Sequence, residues 1–206
     1  LEIGLLRIHQ LERPERGHLM SFADKTERFC IEDYLTWPED ERWEIIDGRA
    51  YDVTPAPTFK HQKIVGNIYH LLRSTLRDSP CVVGIAPTDI ILSEFDVVQP
   101  DVFVVCDERK ITDQNIRGAP DLVVEVLSPA TSRKDRWEKK ALYGRAGVFE
   151  YILVDPEGQY VERYLLEGST RFDRGEVFTL HQVLCLESLE SVELPLWEMF
   201  GLQKPA

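Results

Sequence analysis

Two rhythms of apolar residues alternate along the chain, and the switches between them mark the elements. Phe29, Cys30, Tyr34 and Leu35 are spaced as one face of a short helix over 27–37, capped by Thr26 and ended by Pro38. In the run from Trp43 through Glu44, Ile45 and Ile46 to Val53, Asp47-Gly48 separates two apolar stretches and predicts a hairpin. Over 58–76 the period lengthens: Ile64, Ile68, Leu71, Leu72 and Leu76 form a stripe joined by Val65 and Tyr69, as in a long amphipathic helix. Runs at 81–85, 88–92 and 102–106 read as strands and 107–120 as a polar loop or hairpin end. The most apolar run, 121–127, is expected to be the central strand. Thr131 or Ser132 opens a second helix that runs to about 145 and is stopped by Gly147. Strands follow at 149–154 and 160–166, joined through Asp155-Pro156-Glu157-Gly158. After a polar turn at 168–175 come strands at 177–180 and 192–194 and a helical turn at 196–200.

A helix between two apolar strands implies a right-handed crossover and a parallel pair. The closely spaced strands before it suggest an antiparallel meander. The expected class is therefore α/β (α+β), a mixed central β-sheet flanked by helices. The 206 residues suit one domain, assigned to 20–206. Residues 1–19 are polar and weakly periodic and precede the first methionine, Met20; they are expected to be a vector-derived or mis-called extension.

Composition narrows the function. Apolar residues make up 43% and charged residues 29%, and the net charge is −12. Chains that grip nucleic acid over their whole surface are basic, so any such contact here is expected to be local, transient or metal-assisted. Its expected source is the second helix, where Arg133, Lys134, Arg136, Lys139, Lys140 and Arg145 cluster; a solvated helix face is the alternative. No run approaches the roughly 20 apolar residues of a membrane helix. Cys30, Cys81, Cys106 and Cys185 lack zinc-pair spacing and read as free thiols of a reducing cytoplasm, mostly buried. Trp137 and Trp197 read as exposed aromatics.

Two phrases carry chemistry. Gln99-Pro100-Asp101 opens an apolar strand, and Glu125 lies inside the run Leu122-Val123-Val124-Glu125-Val126-Leu127. A carboxylate in a strand buried on both faces is costly unless paired or metal-bound. Neighbouring strands lie about 4.8 Å apart, so Asp101 and Glu125 can converge on one cation. Oxygen donors, with the Val126 carbonyl as a further ligand, suit Mg²⁺ or Mn²⁺. The alternative for Glu125 is a buried salt bridge, Lys139 being one candidate partner. Asp135, Lys139 and Tyr143, four apart on the second helix, share a face, and Lys139 could orient or deprotonate a water near a scissile phosphate.

The order and spacing of these motifs, from Glu44 to Gly48, His61, Pro100-Asp101, Glu125 to Pro129, Asp135 to Tyr143 and Gly147 to Tyr151, resemble the Uma2-type endonucleases of the PD-(D/E)xK superfamily. The likeness runs from about Phe29 to Tyr164. It implies a restriction-endonuclease-like core, metal-dependent hydrolysis of nucleic acid, DNA foremost, and by analogy a homodimer. Asp101 then matches the motif aspartate and Glu125 the motif acid. Leu127 stands where the lysine is usual, and that role passes to Lys139 on the adjacent helix, ahead of Lys140. Glu44 is implied as an auxiliary acid and His61 as a residue lining the site. The rival expectation is a catalytically silent module that binds a partner or itself.

Overall fold

The computed structural model describes residues 28–38, 40–53, 56–129 and 131–205. Thr26 and the proposed extension lie outside them. The first helix is one turn, α1 (Ile31–Tyr34), opened by Cys30, whose backbone N–H donates to Asp33. Leu35, expected on its apolar face, is exposed. The Asp47-Gly48 hairpin joins β1 (Trp43–Ile46) to β2 (Arg49–Asp52), both turn residues holding positive φ as this tight connection requires. Thr58 caps α2 (Phe59–Thr75) by accepting from the His61 N–H.

Next come β3 (Val82–Ile85), β4 (Ile90–Ser93), β5 (Asp96–Val98) and β6 (Val102–Val105). They do not form one meander. β3 pairs with β6, whereas β4 and β5 form a hairpin that joins β1 through Ile45 and Val97. β5 was not expected, because Asp96-Val97-Val98 is too short a run to show alternation. After β7 (Ile116–Arg117) and the central β8 (Leu122–Val126), a continuous helical segment runs through α3 (Ser132–Lys134), a π turn (Asp135–Lys139) and α4 (Lys140–Ala146). Gly147 closes it at φ 88°, a left-handed conformation that glycine adopts without penalty. The chain continues through β9 (Glu150–Asp155), β10 (Tyr160–Glu167), β11 (Arg171–Phe172), β12 (Glu176–Thr179), β13 (Val183–Cys185), β14 (Glu193–Pro195) and α5 (Leu196–Met199).

The central sheet has the order β11-β10-β9-β8-β6-β3, with β12 also on β10. β8 and β9 form its parallel pair, as the intervening helix requires. Alternation along β8 splits the core in two. Leu122, Val124 and Val126 join α2, the β13–β14 hairpin and α5 on one face. Val123 and Leu127 join α4 and the small sheet β2-β1-β5-β4-β7 on the other. Glu150, fully buried, ties β9 to the next layer by accepting from Glu187 N, Ser188 N and Ser188 Oγ.

Two expectations are corrected. Cys81 and Cys106 are not free thiols: the β3–β6 register sets them opposite each other and their sulfurs are bonded. That pairing depends on register, which cysteine spacing does not reveal. Trp137 is 72% exposed as expected, but Trp197 is buried, because α5 turns it onto the core.

On β3, Gly84 lies opposite Phe103, and a Cβ there would meet the ring at 2.1 Å. Phe103 is packed in the core and cannot swing clear without opening it. Gly84→Ala is expected to cost about 1–3 kcal/mol by overpacking, read from urea denaturation. A variant with wild-type stability would mean that the ring is free to move.

Candidate active site

The site lies where β6 and β8 meet the segment from α3 to α4. The ladder pairs Val102 with Val124 and Phe103 with Val123, so the next pair out is Asp101 and Glu125. Their groups interlock: Asp101 N–H lies 3.4 Å from Glu125 Oε2, and Val126 N–H donates to Asp101 Oδ2 at 2.8 Å. Asp101 is on the rim with 19% of its side chain exposed, while Glu125 is buried. From α2, His61 Nε2 approaches Asp101 Oδ2 at 3.2 Å.

Lys139 enters from the π turn. Its Nζ is 2.8 Å from Glu125 Oε1, 2.7 Å from Glu44 Oε1 and 3.9 Å from Asp135 Oδ1. Tyr143, one turn on, donates its hydroxyl to Glu125 Oε1 at 2.8 Å. The salt bridge weighed for Glu125 is therefore present, within a larger network. Glu44, on β1 and fully buried, also accepts from Lys134 Nζ at 2.6 Å and from Gln99 N–H at 3.0 Å. Tyr151 anchors the π turn by donating to the Asp135 carbonyl at 3.0 Å. The wider π turn changes which residues share a side, and such turns recur at functional sites.

Electrostatics follow from this packing. Burial opposes the Glu44 charge, but Lys139 and Lys134 overcome it and hold the carboxyl down at about 2. Glu125 goes the other way. Desolvation, assisted by the charges of Asp135, Asp101 and Glu44, outweighs Lys139 and pushes the carboxyl up to about 8. Burial alone would loosen the proton of Lys139, but Glu125, Glu44 and Asp135 more than compensate and hold it well above the usual lysine range. Lys139 is thus a fixed ammonium. The cluster carries more acid than base, and its acidic end is the Asp101–Glu125 corner.

All seven residues singled out from the sequence, Glu44, His61, Asp101, Glu125, Asp135, Lys139 and Tyr143, belong to this one network. Sequence reasoning assigned Lys134 to the surface and passed over Gln99; both orient Glu44. The basic patch expected on the second helix is largely consumed by internal partners. Lys134 and Lys139 face Glu44, Arg136 faces Glu162 and Asp155, and Arg145 faces Asp47 and Asp96. Lys140 lies 3.4 Å over the Tyr164 ring. Leu127 is buried among apolar neighbours including Leu142 and Tyr143, so the position two after Glu125 supplies packing and the helix supplies the amine.

Among the described residues no three His, Cys, Asp or Glu side chains form a ready-made metal cage. The donor chemistry at the corner nonetheless fits a hard divalent cation. Asp101 and Glu125 offer carboxylate oxygens from neighbouring strands. The Val126 backbone meets the same corner, its N–H donating to Asp101 Oδ2 at 2.8 Å, and His61 Nε2 reaches the same oxygen at 3.2 Å. Close by, Asp135 Oδ1 is buried with no hydrogen-bond partner among the described residues.

Residues 31–196 match the model of the Uma2 family, described as "Putative restriction endonuclease". An uncharacterized protein of Synechocystis sp. is 32% identical over 137 residues, covering 65% of this chain and 72% of that protein. Among solved structures, a "putative nuclease belonging to DUF820" from Anabaena variabilis superposes with a TM-score of 0.70 at 20% identity, over 84% of this chain and 97% of that one. At that identity the likeness establishes the fold, which is the restriction-endonuclease-like fold expected from the motifs.

Proposed function

This chain belongs to the Uma2 family, described as "Putative restriction endonuclease", and on that premise we propose that it hydrolyses phosphodiester bonds in nucleic acid, DNA foremost, with Mg²⁺ or Mn²⁺ held at the Asp101–Glu125 corner. The observation that carries this reading is the meeting of those two carboxylates at the end of adjacent strands, with the Lys139 ammonium 2.8 Å from Glu125.

Asp101 and Glu125, with the Val126 carbonyl, hold the ion. When bound, a divalent cation polarises a phosphoryl oxygen and makes a coordinated water more acidic. Lys139 keeps its proton and so works as a fixed positive charge: it orients Glu125 and stabilises negative charge growing on the phosphoryl oxygens. That places it as an electrostatic group and leaves deprotonation of the water to an oxygen base. Glu44, backed by Lys134 and Gln99, fixes the amine of Lys139, and Tyr143 fixes Glu125. His61 holds the rim carboxylate, Asp101, in line.

Mn²⁺ titration followed by thermal melting tests the ion site. Wild-type protein is expected to gain about 2.7 kcal/mol at a hundredfold excess over the dissociation constant. Asp101→Asn, which keeps an oxygen for the Val126 N–H, is expected to lose that gain. An equal upward shift in both proteins would place the ion elsewhere and defeat the assignment.

A further inference from the structure

Of the cations of α3, the π turn and α4, only the exposed Arg133 faces neither a carboxylate nor a ring among the described residues, and a larger unpaired group lies on α2. α2 carries Lys60, His61, Lys63, His70 and Arg73 and no Asp or Glu, and Arg77 follows one position beyond its C-cap, Leu76. This occurs in a chain whose acids outnumber its Lys and Arg by 36 to 24. The inner face of the helix is apolar, with Ile64, Val65, Ile68 and Leu72 buried, so Lys60, Lys63, His70, Arg73 and Arg77 stand on the outer side and are exposed. Lys60 pairs with Glu157 in an exposed contact. Lys63, Arg73 and Arg77 have no carboxylate partner among the described residues. Tyr69, His70, Arg73, Ser74 and Arg77 line a shallow concavity of about 310 Å³ with no acid in its wall. The helix spans roughly 25 Å at 1.5 Å per residue. Its first turn delivers His61 to Asp101, so the basic face begins beside the candidate active site.

We propose that the outer face of α2 is the track for the phosphate backbone of the nucleic acid, with His70, Arg73 and Arg77 as its anchor. The proposal rests on the nuclease reading. Guanidinium groups match phosphate with paired, charge-assisted hydrogen bonds, and the phenol of Tyr69 and hydroxyl of Ser74 add neutral donors to the same wall. The occupant is a polyanion on two grounds, charge complementarity and the run of the face from the hydrolytic corner. A single basic face also reconciles strong local contact with an acidic protein, because the acidic remainder limits binding to that face.

The test is fluorescence anisotropy of a fluorescein-labelled DNA duplex in EDTA, where no cleavage occurs, over a range of salt concentrations. Arg73→Glu/Arg77→Glu is expected to weaken binding by at least about 10-fold, and the slope of log affinity against log salt to become shallower by about 2, near 0.9 for each lost phosphate contact. Arg171→Glu/Arg174→Glu, on the exposed edge at β11, makes the same change in net charge and is expected to leave the slope unaltered. Wild-type affinity and slope in the α2 variant would overturn the proposal, as would equal losses in both double variants. So would a protein dimer, seen by sedimentation, that dissociates in the α2 variant while DNA affinity stays unchanged. Asp101→Asn separates the two readings: it is expected to bind the duplex as wild type does and not cut it in Mn²⁺. Cutting by Asp101→Asn would sink the hydrolytic reading, whereas only the α2 variant bears on the track.

Discussion

Asp101→Asn and Glu125→Gln are each expected to lower Mn²⁺-dependent nicking of supercoiled plasmid by roughly 10²–10³-fold or more, the range seen when one preorganised electrostatic contact is lost from a hydrolytic centre. Both replacements preserve shape. Asparagine keeps an acceptor for Val126 N–H, and glutamine keeps an oxygen for Lys139 and Tyr143. Asp101→Asn removes a carboxylate at the corner, and Glu125→Gln removes a carboxyl that could give up its proton to a cation, so the loss reports on cation binding and spares the fold. Circular dichroism and melting of the metal-free variants should resemble wild type, with Glu125→Gln no less stable, since burial already pushes that carboxyl up to about 8. Plasmid nicked at equal rates by wild type and both variants would trace the activity to a contaminant and remove the foundation of the mechanism.

The largest expected effect on stability is at Lys139. Methionine fills similar space without charge, and Lys139→Met leaves Glu125 with the Tyr143 hydroxyl, Glu44 with Lys134, and Asp135 with no nearby ammonium at its Oδ1. Breaking a buried ion pair by removing one partner costs about 3–5 kcal/mol, because the other charge stays buried. For a domain of this size the midpoint is expected to fall by roughly 10 °C or more. Lys139→Met/Glu44→Gln should recover part of the loss, since Glu44, held down at about 2, is the carboxylate that stays ionised when the ammonium is removed. A single variant that melts within a degree or two of wild type would show that the ammonium is not what holds these carboxylates together.

The same residues show why parts of the site could be read in advance. Glu125 stood out because a carboxylate amid Val123, Val124, Val126 and Leu127 has no inexpensive explanation. Lys139 could be reached from Asp135 and Tyr143 by steps of four. Lys134 could not. In an uninterrupted α-helix it and Lys139, five apart, project well over a quarter-turn from each other, and only the π turn brings both to Glu44. A sequence reading that assumes regular geometry therefore sends Lys134 to solvent. Gln99 was invisible for another reason: it acts through its backbone N–H, which every residue but proline possesses. The core strands and both long helical segments were legible because their periodicity is sustained. β5, β7, β11 and β13, each of two or three residues, were not, because alternation needs more positions to declare itself. Lys134, Arg136, Lys139 and Arg145 of the second helix were read as phosphate-facing for a related cause, since acids that pair with them come from distant parts of the chain.

Glu44 comes from the small sheet, Glu125 from the central one and Lys139 from the helical segment packed between them. None of these three layers contains the constellation by itself. A chain still emerging from the ribosome, or one partly opened by heat, has its charged groups dispersed and hydrated. The buried charge network is thus a product of assembly: it exists only once both sheets and the helical segment have docked, and its formation certifies that the three have come together.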